Sequence, residues 1–84
     1  MKTSRVIRFV DSTNPRSIDA GFKPSVQVWI YDNIHSGIPD EWEDGGEFDN
    51  LEEAARYYNM DINKIKLHRQ WYPGDYPEIY IINE

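Results

Sequence analysis

The chain has 84 residues, of which 39% are hydrophobic and 29% charged, with a formal net charge of −6. This length predicts a single small domain (1–84) that buries about 60–65% of its unfolded surface. The absence of cysteine excludes a disulfide framework, a thiolate nucleophile and a cysteine zinc site. A membrane helix is not expected because no apolar run reaches about 18 residues. The first residues lead into a strand-like segment and not an apolar signal region, so we expect a cytoplasmic protein.

Two segments in the first part of the chain have the pattern of β-strands. Residues 6–10 are a β-branched and aromatic run that ends in turn-forming residues, and a loop is expected from there to Pro24. Residues 26–31 alternate between a β-branched face and a face that carries Trp29 and Tyr31. Bulk on both faces predicts a central strand, or a strand with one face exposed for binding.

The middle of the chain predicts a loop followed by a helix. Residues 32–47 are rich in glycine and contain Pro39, and loops of this length are often functional. A short hairpin around Asp44 and Gly45 is an alternative within that loop. Asp49 is the expected helix cap, with Glu52 completing a capping-box spacing. The expected buried stripe of the helix consists of Leu51, Ala54, Ala55 and Tyr58, and Asn59 is its expected left-handed terminator.

The last part of the chain leaves two interpretations open. Residues 60–71 fit a strand with Ile65 and Leu67 facing inward, or a second helix capped by Asp61 or Asn63. Residues 72–77 have the composition of a turn, and residues 79–82 that of a closing strand. We therefore predict an α+β fold, in which a small antiparallel sheet of three to four strands packs against one main helix. A second short helix remains an alternative.

Charge is concentrated in one segment, residues 32–53, which contains nine acids and no Lys or Arg. The remaining residues hold the other six acids and all nine Lys and Arg residues, so they sum to +3. A run of like charges usually forms a solvated loop or an interaction surface. The acids are Asp32, Asp40, Glu41, Glu43, Asp44, Glu47, Asp49, Glu52 and Glu53.

In size, acidity and lack of cysteine the chain resembles small phage and mobile-element proteins that block restriction or CRISPR nucleases. The resemblance is one of composition and implies an inhibitor that acts by DNA mimicry or steric block. Carboxylates spaced like phosphates would compete for the basic surface of a nucleic-acid-binding protein, with aromatic anchors between them. The alternative is a solubilising loop whose aromatics fold back onto the core. The expected partner-binding residues are Asp40, Glu41, Trp42, Glu43, Asp44, Glu47, Phe48, Asp49, Glu52 and Glu53.

Residues 51–65 also resemble a generic helix-turn-helix segment, as found in excisionase-type DNA binders and in accessory modules of homing endonucleases. The resemblance rests on the Ala54-Ala55 pair, a turn at Asn59 and a cap at Asp61. The neighbouring acids would repel the DNA backbone, so direct nucleic-acid binding ranks second. It implies a module of residues 50–69, in which DNA would meet Lys64, Lys66, His68 and Arg69.

Catalysis is not expected. His35 and His68 are far apart in sequence, and no nucleophile–base arrangement or dedicated metal motif is present. We therefore expect a non-enzymatic binding protein without a cofactor or metal ion. An exposed sheet edge would allow two copies to pair, which leaves a homodimer as an alternative.

Overall fold

The computed structural model describes residues 5–32, 42–70 and 77–83, although the side chain of Asp32 is outside that description. A five-stranded antiparallel sheet has the strand order β3-β2-β1-β5-β4. The α+β prediction is confirmed, but the described residues form five strands and three short helices, more than the sequence indicated. The elements are β1 (Arg5–Asp11), α1 (Pro15–Asp19), β2 (Val26–Asp32), β3 (Glu43–Phe48), α2 (Leu51–Tyr57), α3 (Ile62–Lys66), β4 (Arg69–Gln70) and β5 (Glu78–Asn83).

The core lies between one face of the sheet and the helices α2 and α3. Phe9 on β1 pairs with Val28 on β2 and with Tyr80 on β5, so the three side chains share a face. This face packs against the apolar stripe of α2 and against Ile65 of α3. The stripe predicted for α2 is confirmed, with Leu51, Ala54 and Ala55 buried and Tyr58 half-buried. The buried core comprises Ile7, Phe9, Val26, Val28, Leu51, Ala54, Ala55, Ile65 and Tyr80.

The first connection contains a helix where a loop was expected. Asn14 caps α1, since its side chain accepts a hydrogen bond of 2.9 Å from the Ser17 amide. Pro15 follows in the first turn, where its missing N–H is not needed and its fixed φ suits a helix. Asn14 before Pro15 is the sequence signal for this helix start, which the prediction of a loop did not include.

The predicted loop of residues 32–47 is partly a strand, because β3 pairs with β2 from Glu43 onwards. The hairpin considered around Asp44 and Gly45 is wrong, since both residues lie inside β3. Two residues, Gly45 and Gly46, stand opposite Val28 alone, which makes a β-bulge. Gly46 has φ of +107°, in the region that favours glycine.

The start of α2 is one residue later than predicted. Asn50 is the cap, and its side chain accepts a hydrogen bond of 2.8 Å from the Glu53 amide. The capping-box spacing therefore runs from Asn50 to Glu53 and not from Asp49 to Glu52, although the Glu53 carboxylate accepts its hydrogen bond, at 3.4 Å, from the amide of Asp49, one residue before the cap. Asn59 follows the helix with φ of +55°, which confirms the predicted left-handed terminator.

The two interpretations of residues 60–71 each hold for part of the segment. Asp61 caps α3, accepting from the Asn63 amide at 2.9 Å, and Ile65 is buried. The chain then turns, and β4 pairs with β5. Leu67 is 84% exposed and so does not face inward as the strand interpretation required. The predicted closing strand is confirmed as β5, whereas the predicted turn falls mostly on residues outside the described ranges.

Within the described ranges no helix has both the length and the apolar character needed to cross a membrane.

Candidate protein-binding surface

The described part of the acidic segment, residues 42–53, lies along one edge of the sheet. β3 is an outermost strand, and α2 follows it directly. Six acids of this region are described, and all of them are exposed; we call them the acidic edge. They are Glu43, Asp44, Glu47, Asp49, Glu52 and Glu53.

The strand register distributes these carboxylates around the edge. Asp44 pairs with Trp29, on the sheet face away from α2 and α3. Glu43 pairs with Ile30, on the face that carries the helices. The acidic edge therefore presents charge on both sides of β3 and continues onto the exposed side of α2.

Two of the six carboxylates have cationic neighbours. Glu47 binds Lys23 at 2.8 Å, and Glu52 lies 3.6 Å from Arg56 on the next helical turn. The hydrogen bond between Glu47 and Lys23 lowers the pKa of the carboxyl and raises the pKa of the amine. The described ion pairs include none of the other four acids. Six negative and two positive charges leave −4 on this edge.

Trp42, one of the two predicted aromatic anchors, is half-buried next to the start of β3. Its ring lies 4.6 Å from the Arg8 guanidinium carbon and 5.6 Å from the Tyr31 ring. The stack on Arg8 is a cation–π contact within the chain. Trp42 thus contacts side chains of its own sheet through Arg8 and Tyr31.

Phe48, the second predicted anchor, belongs to an aromatic cluster that runs from the core to the surface. Phe9 at the buried end contacts Tyr58 edge-on, with ring centres 6.2 Å apart. Tyr58 contacts Phe48 and Tyr57, and the rings of Phe48 and Tyr57 lie 5.3 Å apart. Tyr57, at the outer end, is 71% exposed.

The hydroxyl of Tyr58 joins this cluster to the bulge, because it donates a hydrogen bond to the carbonyl oxygen of Gly45. Burial raises the pKa of Tyr58, which keeps the hydroxyl protonated and able to donate. A side chain at Gly45 would meet Tyr58, since a Cβ there would lie 2.6 Å from the hydroxyl. Gly45 therefore allows the close approach of α2 to β3.

The residues of the nucleic-acid alternative lie around α3 and β4. Lys64, Lys66 and His68 are exposed, whereas Arg69 is half-buried and 3.3 Å from Glu78 on β5. β4 forms the other edge of the sheet. Arg69 on β4 is thus separated from β3 by the width of the sheet, whereas Lys64 and Lys66 lie on α3, which contacts α2 and β5.

Tyr57 is an exposed surface residue that was not predicted from the sequence. The signal for its exposure is its position as the last residue of α2, about 100° around the helix from the buried stripe. A buried acid was also missed, since Asp11 is 8% exposed and accepts a 2.9 Å hydrogen bond from the Thr13 amide. That bond closes the turn after β1.

Three of the residues considered from the sequence, Asp40, Glu41 and His35, lie outside the described residues. Among the residues that are described, no three His, Asp or Glu side chains form a group suited to a metal ion. The chain has no significant match among protein-family models, curated proteins or solved structures.

Proposed function

We propose that this protein is a non-enzymatic binding module whose acidic edge engages a basic, nucleic-acid-binding surface of a partner protein. The observation that carries the proposal is the exposure of all six described carboxylates of the acidic edge. In its specific form, the bound module blocks access of nucleic acid, as phage-type inhibitors of restriction or CRISPR nucleases do.

The physical argument rests on charge. A net charge of −4 on one side of a protein of 10.0 kDa creates a field that attracts basic surfaces and repels phosphate. Carboxylates along a strand and an adjoining helix are held by regular backbone, so their arrangement is preorganised. Preorganisation reduces the ordering cost of binding, and complementary charge accelerates encounter with the partner.

The test is displacement of labelled duplex DNA from a panel of purified restriction and CRISPR nucleases, followed by fluorescence anisotropy. We expect the protein to displace DNA from at least one nuclease at about 50 mM salt, and less effectively at about 200 mM. Lack of displacement across the panel, or displacement that ignores salt, would contradict the inhibitor form of the proposal.

Two single charge-reversal substitutions test whether the acidic edge is the surface that displaces DNA. Glu43→Lys and Asp49→Lys each change an exposed carboxylate that takes part in no described ion pair, so the fold should survive. Each should weaken displacement about tenfold, because a repulsive charge replaces an attractive one. The matched control is Asp19→Lys, an equal charge change at an exposed residue of α1. Equal losses in all three variants would assign the effect to net charge alone.

The second candidate, a DNA-binding module, is favoured by the observed α2–turn–α3 arrangement with Ile65 buried. Against it, α3 has five residues, a length of about 7.5 Å, and it packs on the sheet of its own chain. Its direct test is anisotropy of labelled duplex DNA without a nuclease. Saturable binding that is lost in a Lys64→Gln, Lys66→Gln double variant would favour this candidate over the acidic edge.

A further inference from the structure

At the outer end of the aromatic cluster, a shallow groove of about 300 Å³ adjoins the acidic edge. It lies between the end of β3 and the exposed side of α2, and it is lined by Phe48, Glu53, Arg56 and Tyr57. This volume is at the lower limit for small-molecule sites, which favours a single side chain as the occupant.

The rings of this groove are held in place from behind. Tyr57 is 71% exposed, yet its ring packs against Tyr58 at 5.0 Å and against Phe48 at 5.3 Å. Both neighbours are half-buried and belong to the cluster that begins at Phe9. An exposed aromatic ring in a supported position offers contact area without a large loss of side-chain freedom on binding.

The charge around the groove selects the occupant. Glu53 lines it with a carboxylate, and Asp49 lies one turn earlier as part of the same acidic edge. Arg56 is the opposing charge, but it is 3.6 Å from Glu52, which partly neutralises it. Aromatic faces next to carboxylates favour a flat cation, and a guanidinium stacks on such faces better than an ammonium.

We propose that the groove formed by Phe48, Glu53 and Tyr57 is a specificity pocket for an arginine side chain of the partner, with the guanidinium stacked on Tyr57 and paired with Glu53. This inference rests on the proposed function and adds the chemistry of the contact. The chain already forms one such contact internally, where Arg8 lies over Trp42 at 4.6 Å. The pocket therefore prefers arginine over lysine on the partner's surface.

The experiment measures anisotropy of a labelled peptide of alternating Arg and Ser, beside a matched Lys and Ser peptide, with the full chain. The wild type should bind the Arg peptide several-fold more tightly. Tyr57→Leu should remove about fivefold of affinity for the Arg peptide and abolish the preference, whereas Tyr57→Phe should retain both. Arg56→Gln should strengthen binding of both peptides, because it removes the competing cation. Glu53→Gln should weaken binding of the Arg peptide more than binding of the Lys peptide.

Leu67→Ala is the matched control, since Leu67 is 84% exposed on the side of α3 and β4. It should leave both affinities unchanged. If Tyr57→Leu binds both peptides like the wild type while Glu43→Lys weakens them, the arginine pocket is overturned and the proposed function stands. If neither peptide binds the wild type, or Glu43→Lys has no effect, the proposed function itself is contradicted. Equal affinity of the wild type for the two peptides also overturns the pocket.

Discussion

The two edges of the sheet differ in charge and in construction. The β3 edge carries six exposed carboxylates, a bulge and the aromatic cluster, whereas the β4 edge is a two-residue strand next to exposed Lys and His side chains. In the order β3-β2-β1-β5-β4 they lie four strand spacings apart, about 19 Å. With its two cationic neighbours, Lys23 and Arg56, the acidic edge carries a charge of −4, whereas the exposed residues Lys64, Lys66 and His68 lie on α3 and just before β4.

The same features also protect the β3 edge from unwanted pairing. Edge strands with charged side chains and bulges resist addition of another strand. Acids on both faces of β3, together with Gly45 and Gly46 opposite Val28, fit that description. A homodimer formed by pairing two β3 edges is therefore opposed by charge, and the short β4 offers few backbone groups for the other arrangement.

The largest expected effect is at the bulge. Gly45→Ala would place a Cβ 2.6 Å from the Tyr58 hydroxyl and 2.9 Å from the Val28 side chain, so β3 or α2 must move. We expect a loss of about 2–3 kcal/mol in the free energy of unfolding, measured by urea denaturation. The control is Gly21→Ala, where φ is +94° but no atom lies within 4 Å of the added Cβ.

That control isolates backbone strain and should lose about 1 kcal/mol. Equal losses at Gly45 and Gly21 would show that close packing of α2 on β3 is not what Gly45 provides. The acidic edge would then be less rigid than the contacts of Tyr58 imply.

One tyrosine hydroxyl near each edge provides a second comparison. Tyr58 donates to the Gly45 carbonyl, and Tyr80 donates to the Glu78 carboxylate at 2.7 Å. A bond to a charged acceptor is stronger, so Tyr80→Phe should lose about 1.5 kcal/mol and Tyr58→Phe about 1 kcal/mol in urea denaturation. The reverse order would mean that the bulge contact contributes more than the Tyr80–Glu78 bond.

The Tyr80 bond also predicts a pH dependence. Burial, followed by the bond to Glu78, raises the pKa of Tyr80 well above its ordinary value. The unfolded chain releases this proton near about pH 10 while the folded chain retains it, so the stabilisation is complete below that pH and declines above it. The free energy of unfolding should fall between about pH 9 and 11, and fall less in Tyr80→Phe. Identical slopes for the two proteins would contradict the raised pKa.

The smallest effects are expected from the ion pairs. Arg69 and Glu78 are half-buried at 3.3 Å, so a double-mutant cycle with Arg69→Gln and Glu78→Gln should give a coupling of about 0.5 kcal/mol. The exposed Lys23–Glu47 pair should give a smaller coupling that disappears at about 1 M salt. A larger coupling for the exposed pair would indicate that the acidic edge is held together by charge.

Local patterns in the sequence were sufficient for the parts of the fold that depend on neighbouring residues. Alternation placed Val26, Val28 and Ile30 on one face, and the helical spacing of Leu51, Ala54 and Ala55 gave the buried stripe of α2. The left-handed residue at Asn59 was also predicted, because it ends the helical pattern. The acidic segment was evident from composition, whereas its placement along an edge strand was not.

The missed elements depend on pairing across long separations. β3 contains two consecutive glycines and no alternating apolar pattern, so nothing local marks it as a strand; its pairing with β2 makes it one. β4 has two residues and exists because β5 returns beside it. Local sequence could not decide whether Asn50 or Asp49 caps α2, since both residue types cap helices well.

The sequence by itself determined the α+β class, the two faces of β2, the main helix and the concentration of negative charge. The tertiary structure decided that six of these acids lie along one edge of a five-stranded sheet, that Trp42 stacks on Arg8, and that Tyr57 is exposed beside Phe48. The physical reason is that periodicity and capping act between residues a few positions apart. Strand order and ring contacts depend on which distant segments bury each other's apolar surface.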